Sequence, residues 1–130
     1  MTRMIVIGML LVLCLPAATA QARDDGGDQR VRVGGECSRG GKARLDLRAR
    51  DGGIELEFEV EHVRRGGLWL VSVVQEGRVV WRGRVRASGS GGGFEVRRRL
   101  PDLAGADRIA VRGRGPSGTG CTASATLPGR

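Results

Sequence analysis

From Lys42 onward, apolar and polar residues alternate with a period of two. Ala43, Leu45, Leu47 and Ala49 are interleaved with Arg44, Asp46, Arg48 and Arg50, which places the two sets on opposite faces of a strand. Asp51-Gly52-Gly53 then reads as a hairpin turn, because glycine supplies the positive φ angles that a tight loop needs. The alternation resumes with Ile54, Leu56, Phe58 and Val60 on one side and Glu55, Glu57, Glu59 and Glu61 on the other. Arg64-Arg65-Gly66-Gly67 breaks it. Leu68 to Val74 is apolar on both faces apart from Ser72, the signature of a central strand. Glu76-Gly77 turns the chain into Arg78 to Arg86, where Val79, Trp81 and Val85 alternate with Arg82, Arg84 and Arg86. A glycine-serine loop from Ser88 to Gly93 precedes a fifth strand, Phe94 to Leu100, and a corner, Pro101 to Asp107. Arg108 to Arg114 and Cys121 to Leu127 form the last pair, joined by a glycine-rich loop. No stretch of this region carries a sustained period of ~3.6, so seven short strands separated by turn signals predict an all-β sandwich.

The N-terminal part follows other rules. Met1 to Met4 carries one positive charge, Arg3; Ile5 to Leu15 is apolar apart from Gly8; and Pro16 to Ala20 ends in a small-x-small pattern. That is the layout of a helical signal peptide, residues 1–20, cleaved after Ala20 or, as second choice, after Ala22. Its apolar core is too short to cross ~30 Å of hydrocarbon, so the mature protein is expected to have no transmembrane segment. Acylation of Cys14 is disfavoured because Leu11-Val12-Leu13 lacks a small residue before the cysteine. Residues 21–36 mix charges with glycine and read as a flexible tether, with Val31 and Val33 at most starting a strand. The domain is then residues 37–130. Export would leave Cys37 and Cys121 as the two cysteines, and two cysteines in an oxidising compartment form a disulfide. A loop of this length implies about 4–5 kcal/mol of stabilisation at most.

Charge adds a possible partner. Lysine and arginine number 22 against 14 acidic residues, a net charge of +8, and loss of Arg3 with the leader lowers it to +7. Nearly all of it is arginine, Lys42 being the only lysine. An anionic partner is one reading; the arginine and glycine loading of a GC-rich coding sequence is the other. Tyrosine is absent and the aromatics are Phe58, Trp69, Trp81 and Phe94, too few for base-stacking recognition of single-stranded nucleic acid.

Leu100-Pro-Asp-Leu-Ala-Gly-Ala-Asp-Arg-Ile-Ala-Val111, a glycine-rich loop and Cys121-Thr-Ala-Ser-Ala-Thr-Leu127 resemble the last corner and two strands of immunoglobulin-like and fibronectin type III-like domains. Residues 37–127 as a whole resemble small exported immunoglobulin-like proteins of actinobacteria that have no assigned activity. The resemblance implies a seven-stranded immunoglobulin-like β-sandwich and no particular function. Arg108 stands near the position of the corner tyrosine of such folds, so that latch is missing or replaced. The disulfide would not join the two central strands. It would tie the start of the first strand to the start of the last, which is reasonable if the two run parallel at a sheet edge.

Candidate chemistry is sparse. His62, the single histidine, has no accompanying nucleophile signature, and catalysis is not expected. The glutamates at 55, 57, 59 and 61 stand ~6.6–6.8 Å apart along one strand face. They are better read as cross-strand partners of Arg44, Arg48 and Arg50 than as a glycosidase pair or a calcium site. Gly113-Arg-Gly115-Pro-Ser-Gly118 matches a dinucleotide fingerprint by letter, but a strand rather than a helix follows it. No catalytic residue, metal ligand or cofactor is assigned.

Under immunoglobulin-like order the first, second and fifth strands share a sheet, with the glutamates flanked by arginines and that face nearly neutralised. The other sheet would present Leu70, Val74, Val80, Arg82, Arg84, Arg86, Arg108, Arg112 and Arg114 outward. Arginines interleaved with apolar side chains suggest a contact surface for an anionic envelope polymer or an acidic protein. The expected function is that of a secreted or envelope-associated, non-enzymatic binding or structural module. The alternative is an accessory or inhibitor domain of an extracellular hydrolase system.

Overall fold

The computed structural model describes residues 29–129; the expected signal peptide (residues 1–20), residues 21–28 of the expected tether and Arg130 lie outside them. Nine strands follow one another: β1 (Arg30–Gly34), β2 (Glu36–Cys37), β3 (Lys42–Arg50), β4 (Gly53–Glu61), β5 (Leu68–Gln75), β6 (Arg78–Arg86), β7 (Gly93–Pro101), β8 (Asp107–Arg114) and β9 (Gly120–Leu127). They form two antiparallel sheets, ordered β1-β3-β4-β7 and β2-β9-β8-β5-β6. Facing each other, the sheets make an all-β sandwich.

The alternation explains both the strands and the core. Leu45, Leu47, Ile54, Leu56 and Phe58 point inward from one sheet, and Trp69, Val71, Val73, Ile109 and Val111 from the other; all are buried. Each such side chain contributes roughly 1.5–3 kcal/mol when fully removed from water. Phe94 lies between the layers, its ring centroid 5.2 Å from that of Trp69 and 6.2 Å from that of Phe58, within the range of favourable aromatic pairs. The hairpins β3–β4 and β5–β6 close on Asp51-Gly52 and Glu76-Gly77, each with two consecutive positive φ angles (51° and 76°, 50° and 77°), as the tight mirror-image turn requires.

Two strands exceed the seven expected. Residues 30–34, placed in the tether by composition, pair along the whole of β1 with β3, Val31 opposite Leu47 and Val33 opposite Leu45. Both valines pack against the core, and β1 supplies hydrogen bonds that the outer edge of β3 would otherwise lack. The chain then passes from one sheet to the other at Gly35, whose backbone N–H donates to the Ala43 carbonyl at 2.8 Å. A Cβ there would meet the Thr122 carbonyl oxygen at 2.4 Å, so the crossing is open to glycine alone.

The disulfide joins Cys37 to Cys121 across 84 positions, with Cα atoms 4.1 Å apart. Its setting differs from the expected one. Cys37 belongs to β2, a short strand that runs antiparallel to β9, with the two cysteines directly opposite. The bridge therefore links neighbouring antiparallel strands and not the parallel starts of the first and last strands. Alternation beginning at Lys42 could not reveal β2, because two residues carry no period.

Candidate anion-binding face

The elements expected to share a sheet, β3, β4 and β7, do so. Their outward face is a lattice of mixed charge: the row Arg48, Glu55, Arg99 lies beside Asp46, Glu57, Arg97, in which two acids stand opposite each other. Arg44 reaches Glu59 at 2.7 Å, and Arg30 and Arg32 converge on Asp46 at 2.7 and 3.0 Å. Hydrogen bonds from Arg30 above all, and from Arg32, hold the Asp46 carboxyl below the usual carboxylate range. Arg97 is shared between Glu57 and Glu95, and Arg99 lies 3.8 Å from Glu55 while donating to the Arg50 and Asp51 carbonyls. The glutamate ridge is thus bound up in cross-strand pairs, arranged along a line and not around a point.

The other sheet is different. β5 is flanked by β6 on one side and β8 on the other. Ser72 lies opposite both Arg82 and Arg112, and Leu70 opposite both Arg84 and Arg114. Strand spacing of ~4.8 Å puts the members of each pair ~10 Å apart, and the two pairs follow each other at ~6.7 Å along the strands. Four exposed guanidinium groups therefore surround one serine and one leucine. Among the described residues none of the four has an acidic partner. Two shallow depressions of about 470 and 620 Å³ meet on this face and share Ser72, Arg82 and Arg112.

Arg86 and Arg108 stand apart from this group. The Arg86 guanidinium donates to the Gly66 carbonyl at 3.0 Å, and Arg108 sits at the far end of β8, 3.7 Å from Glu76. Among the described residues Glu36 of β2, opposite Thr122 of β9, is a further acid bordering the face. Apolar exposure is concentrated here as well: Leu68, Leu70 and Val79 are 44, 51 and 47 % exposed, whereas Val80 falls at the register shift between β5 and β6 and Leu103 lies elsewhere.

Three features escaped the sequence reading. Arg98 occupies an inward position of β7, opposite Leu56, and its guanidinium lies 4.5 Å from the Trp81 ring centroid; alternation with Phe94, Val96 and Leu100 assigns it that side of the strand but does not show that it meets a ring. The corner before β8 is held by buried Asp107, which accepts from Gln75 Nε2 at 3.0 Å and from the Leu103 N–H at 3.3 Å, while the same Gln75 nitrogen donates to the Pro101 carbonyl at 2.7 Å. Gln75 and Asp107 thus tie the end of β5 to the end of β7 and to the corner that follows it. Burial, reinforced by Asp102, pushes the Asp107 carboxyl above its ordinary value. Third, Gly113 and Gly115, the first glycines of the fingerprint-like stretch, lie against the Trp69 indole, where a Cβ on Gly115 would come within 2.5 Å.

His62 is exposed and 4.0 Å from Glu61. Among the described residues no three histidine, cysteine, aspartate or glutamate side chains are grouped as a metal site would need, and no helix is long and apolar enough to cross a membrane. Comparison with protein-family models, curated proteins and solved structures finds no significant match.

Proposed function

We propose that this protein is an exported, non-enzymatic β-sandwich module of immunoglobulin-like type that binds an anionic partner outside the cell or at its envelope. Support for the fold type comes from the strand order: β3, β4 and β7 in one sheet, β9, β8, β5 and β6 in the other, the division that immunoglobulin-like order implies. Support for export comes from the signal-peptide pattern of residues 1–20 and from the Cys37–Cys121 disulfide, which is compatible with an oxidising compartment.

The observation that carries the binding role is the set of four arginines, Arg82, Arg84, Arg112 and Arg114, that stand around Ser72 and Leu70 with no acidic partner among the described residues. Guanidinium groups left without carboxylates on a sheet whose opposite number is densely ion-paired are available to carboxylate or phosphate. The test is retention of the purified chain on carboxylate- and phosphate-bearing matrices at low and high salt, beside a variant in which all four arginines are serine. Retention that fades with salt and is lost in the variant is the expected result. Equal retention of both proteins, or of neither, overturns the reading.

A further inference from the structure

Between its two arginine rows the face has a floor of another kind. The outward side chains of β5 are Leu68, Leu70, Ser72 and Val74, and Val79 of β6 lies opposite Val74. Three of these, Leu68, Leu70 and Val79, are among the most exposed large apolar residues of the described chain. Arg82 and Arg84 stand along one side of this floor, and Arg112 and Arg114 along the other.

Resting on the anion-binding reading, we propose that the partner is an acidic amphipathic helix of another protein. It would lie along β5 with its apolar stripe on Leu68, Leu70 and Val74 and carboxylates on both flanks facing the arginines. The dimensions agree. Rails two strands apart are ~10 Å from each other, the width of a helix with short side chains. The floor from residue 68 to residue 74 is ~20 Å long, close to four helical turns.

Chemistry separates this occupant from its competitors. A phosphodiester or uronate polymer would satisfy the guanidinium groups but offers little apolar surface to cover Leu70, which would stay in contact with water. A single-stranded nucleic acid would look for exposed rings, and Phe58, Trp69 and Phe94 are buried while Trp81 faces inward under Arg98. A duplex, held through its phosphates, would leave the apolar floor uncovered as a phosphodiester polymer would. A second copy brought face to face would set arginine rows against arginine rows. Carboxylates and apolar residues on one narrow element match both parts of the face, as in other helix-on-groove complexes.

The experiment measures binding of the purified chain, as the cell processes it, to four probes at about 0.15 M salt. These are a four-turn peptide with a leucine stripe flanked by glutamates, its scrambled form of equal composition, polyglutamate, and inorganic polyphosphate. The striped peptide is expected to bind about tenfold more tightly than the other three. Leu70→Ser should erase that margin by weakening the striped peptide far more than polyglutamate, while Arg82→Ser with Arg112→Ser should weaken every probe. These positions are exposed, and unchanged thermal melts establish that the variants fold. If all four probes bind alike and Leu70→Ser changes nothing, or if polyphosphate binds best, the helix is the wrong occupant and the anion-binding reading stands. If no probe binds, both fall.

Discussion

Asp107 at the sandwich corner and Asp46 on the ion-paired sheet give stability pH dependences of opposite sign. Asp107 is buried and its carboxyl is raised above the ordinary value, first by desolvation and then by its interaction with Asp102. A group raised on folding favours the folded state below its unfolded value and loses that contribution as pH rises through the folded one. Asp46, lowered by Arg30 and Arg32, acts in the opposite sense: its contribution is present above the usual carboxylate range and is lost on acidification. Asp107→Asn keeps an oxygen for Gln75 and Leu103 without the buried charge, so thermal melts should show a gain of a few °C at neutral pH and a flatter profile between pH 4 and 7, on the order of 1 kcal/mol. A second residue-scale prediction concerns Trp69. Gly115→Ala drives a methyl group into the indole and should cost about 1–3 kcal/mol by overpacking, read as a lower denaturant midpoint. Neither the corner latch nor this glycine contact was visible in the sequence, since each depends on residues from different elements meeting in space.

At the scale of elements, long regular alternation was legible and short strands were not. β3 through β9 could be read because each carries several periods of inward and outward residues, or a turn such as Asp51-Gly52 that fixes its neighbour's register. β1 is different. Its two valines sit among charges and glycines, and the segment is a strand because β3 offers an open edge and the core accepts Val31 and Val33. Tertiary context decides such a segment, not its own composition. Val33→Asp, which would set a carboxylate beside Leu45, should therefore destabilise the domain by about 1–3 kcal/mol, whereas a tether would tolerate it; chemical denaturation distinguishes the two. The arginine face was legible in part. Alternation placed Arg82, Arg84, Arg112 and Arg114 outward, yet only register could show that they bracket the same two β5 residues. Arg86 and Arg108 look identical in sequence and are held elsewhere.

For the whole molecule, the two open sides of the sandwich are closed by unlike means. On one side the chain crosses between the sheets at Gly35, and the Cys37–Cys121 bridge ties β2 to β9. On the other, the chain crosses from β6 to β7 through residues 87–92 without a covalent bridge, and these edge strands are packed through side chains, among them Arg98 over Trp81. A covalent closure constrains the unfolded chain and the local opening of that side; a stacked arginine does neither to the same degree. Hydrogen exchange should follow this division. In the oxidised protein the amides of β6 and β7 along their free edges should exchange before those of β2 and β9. Cys37→Ser with Cys121→Ser should reverse the order, releasing β1, β2 and β9 first, and should lower stability by up to about 4–5 kcal/mol. Arg98→Ala should hasten exchange in β6 and β7 alone. Because the proposed helix would lie on β5, β6 and β8, it would also stiffen the less secured side. Bound striped peptide should therefore slow exchange in β6 more than in β9, and uniform protection of both strands would place the contact somewhere other than the arginine-lined floor.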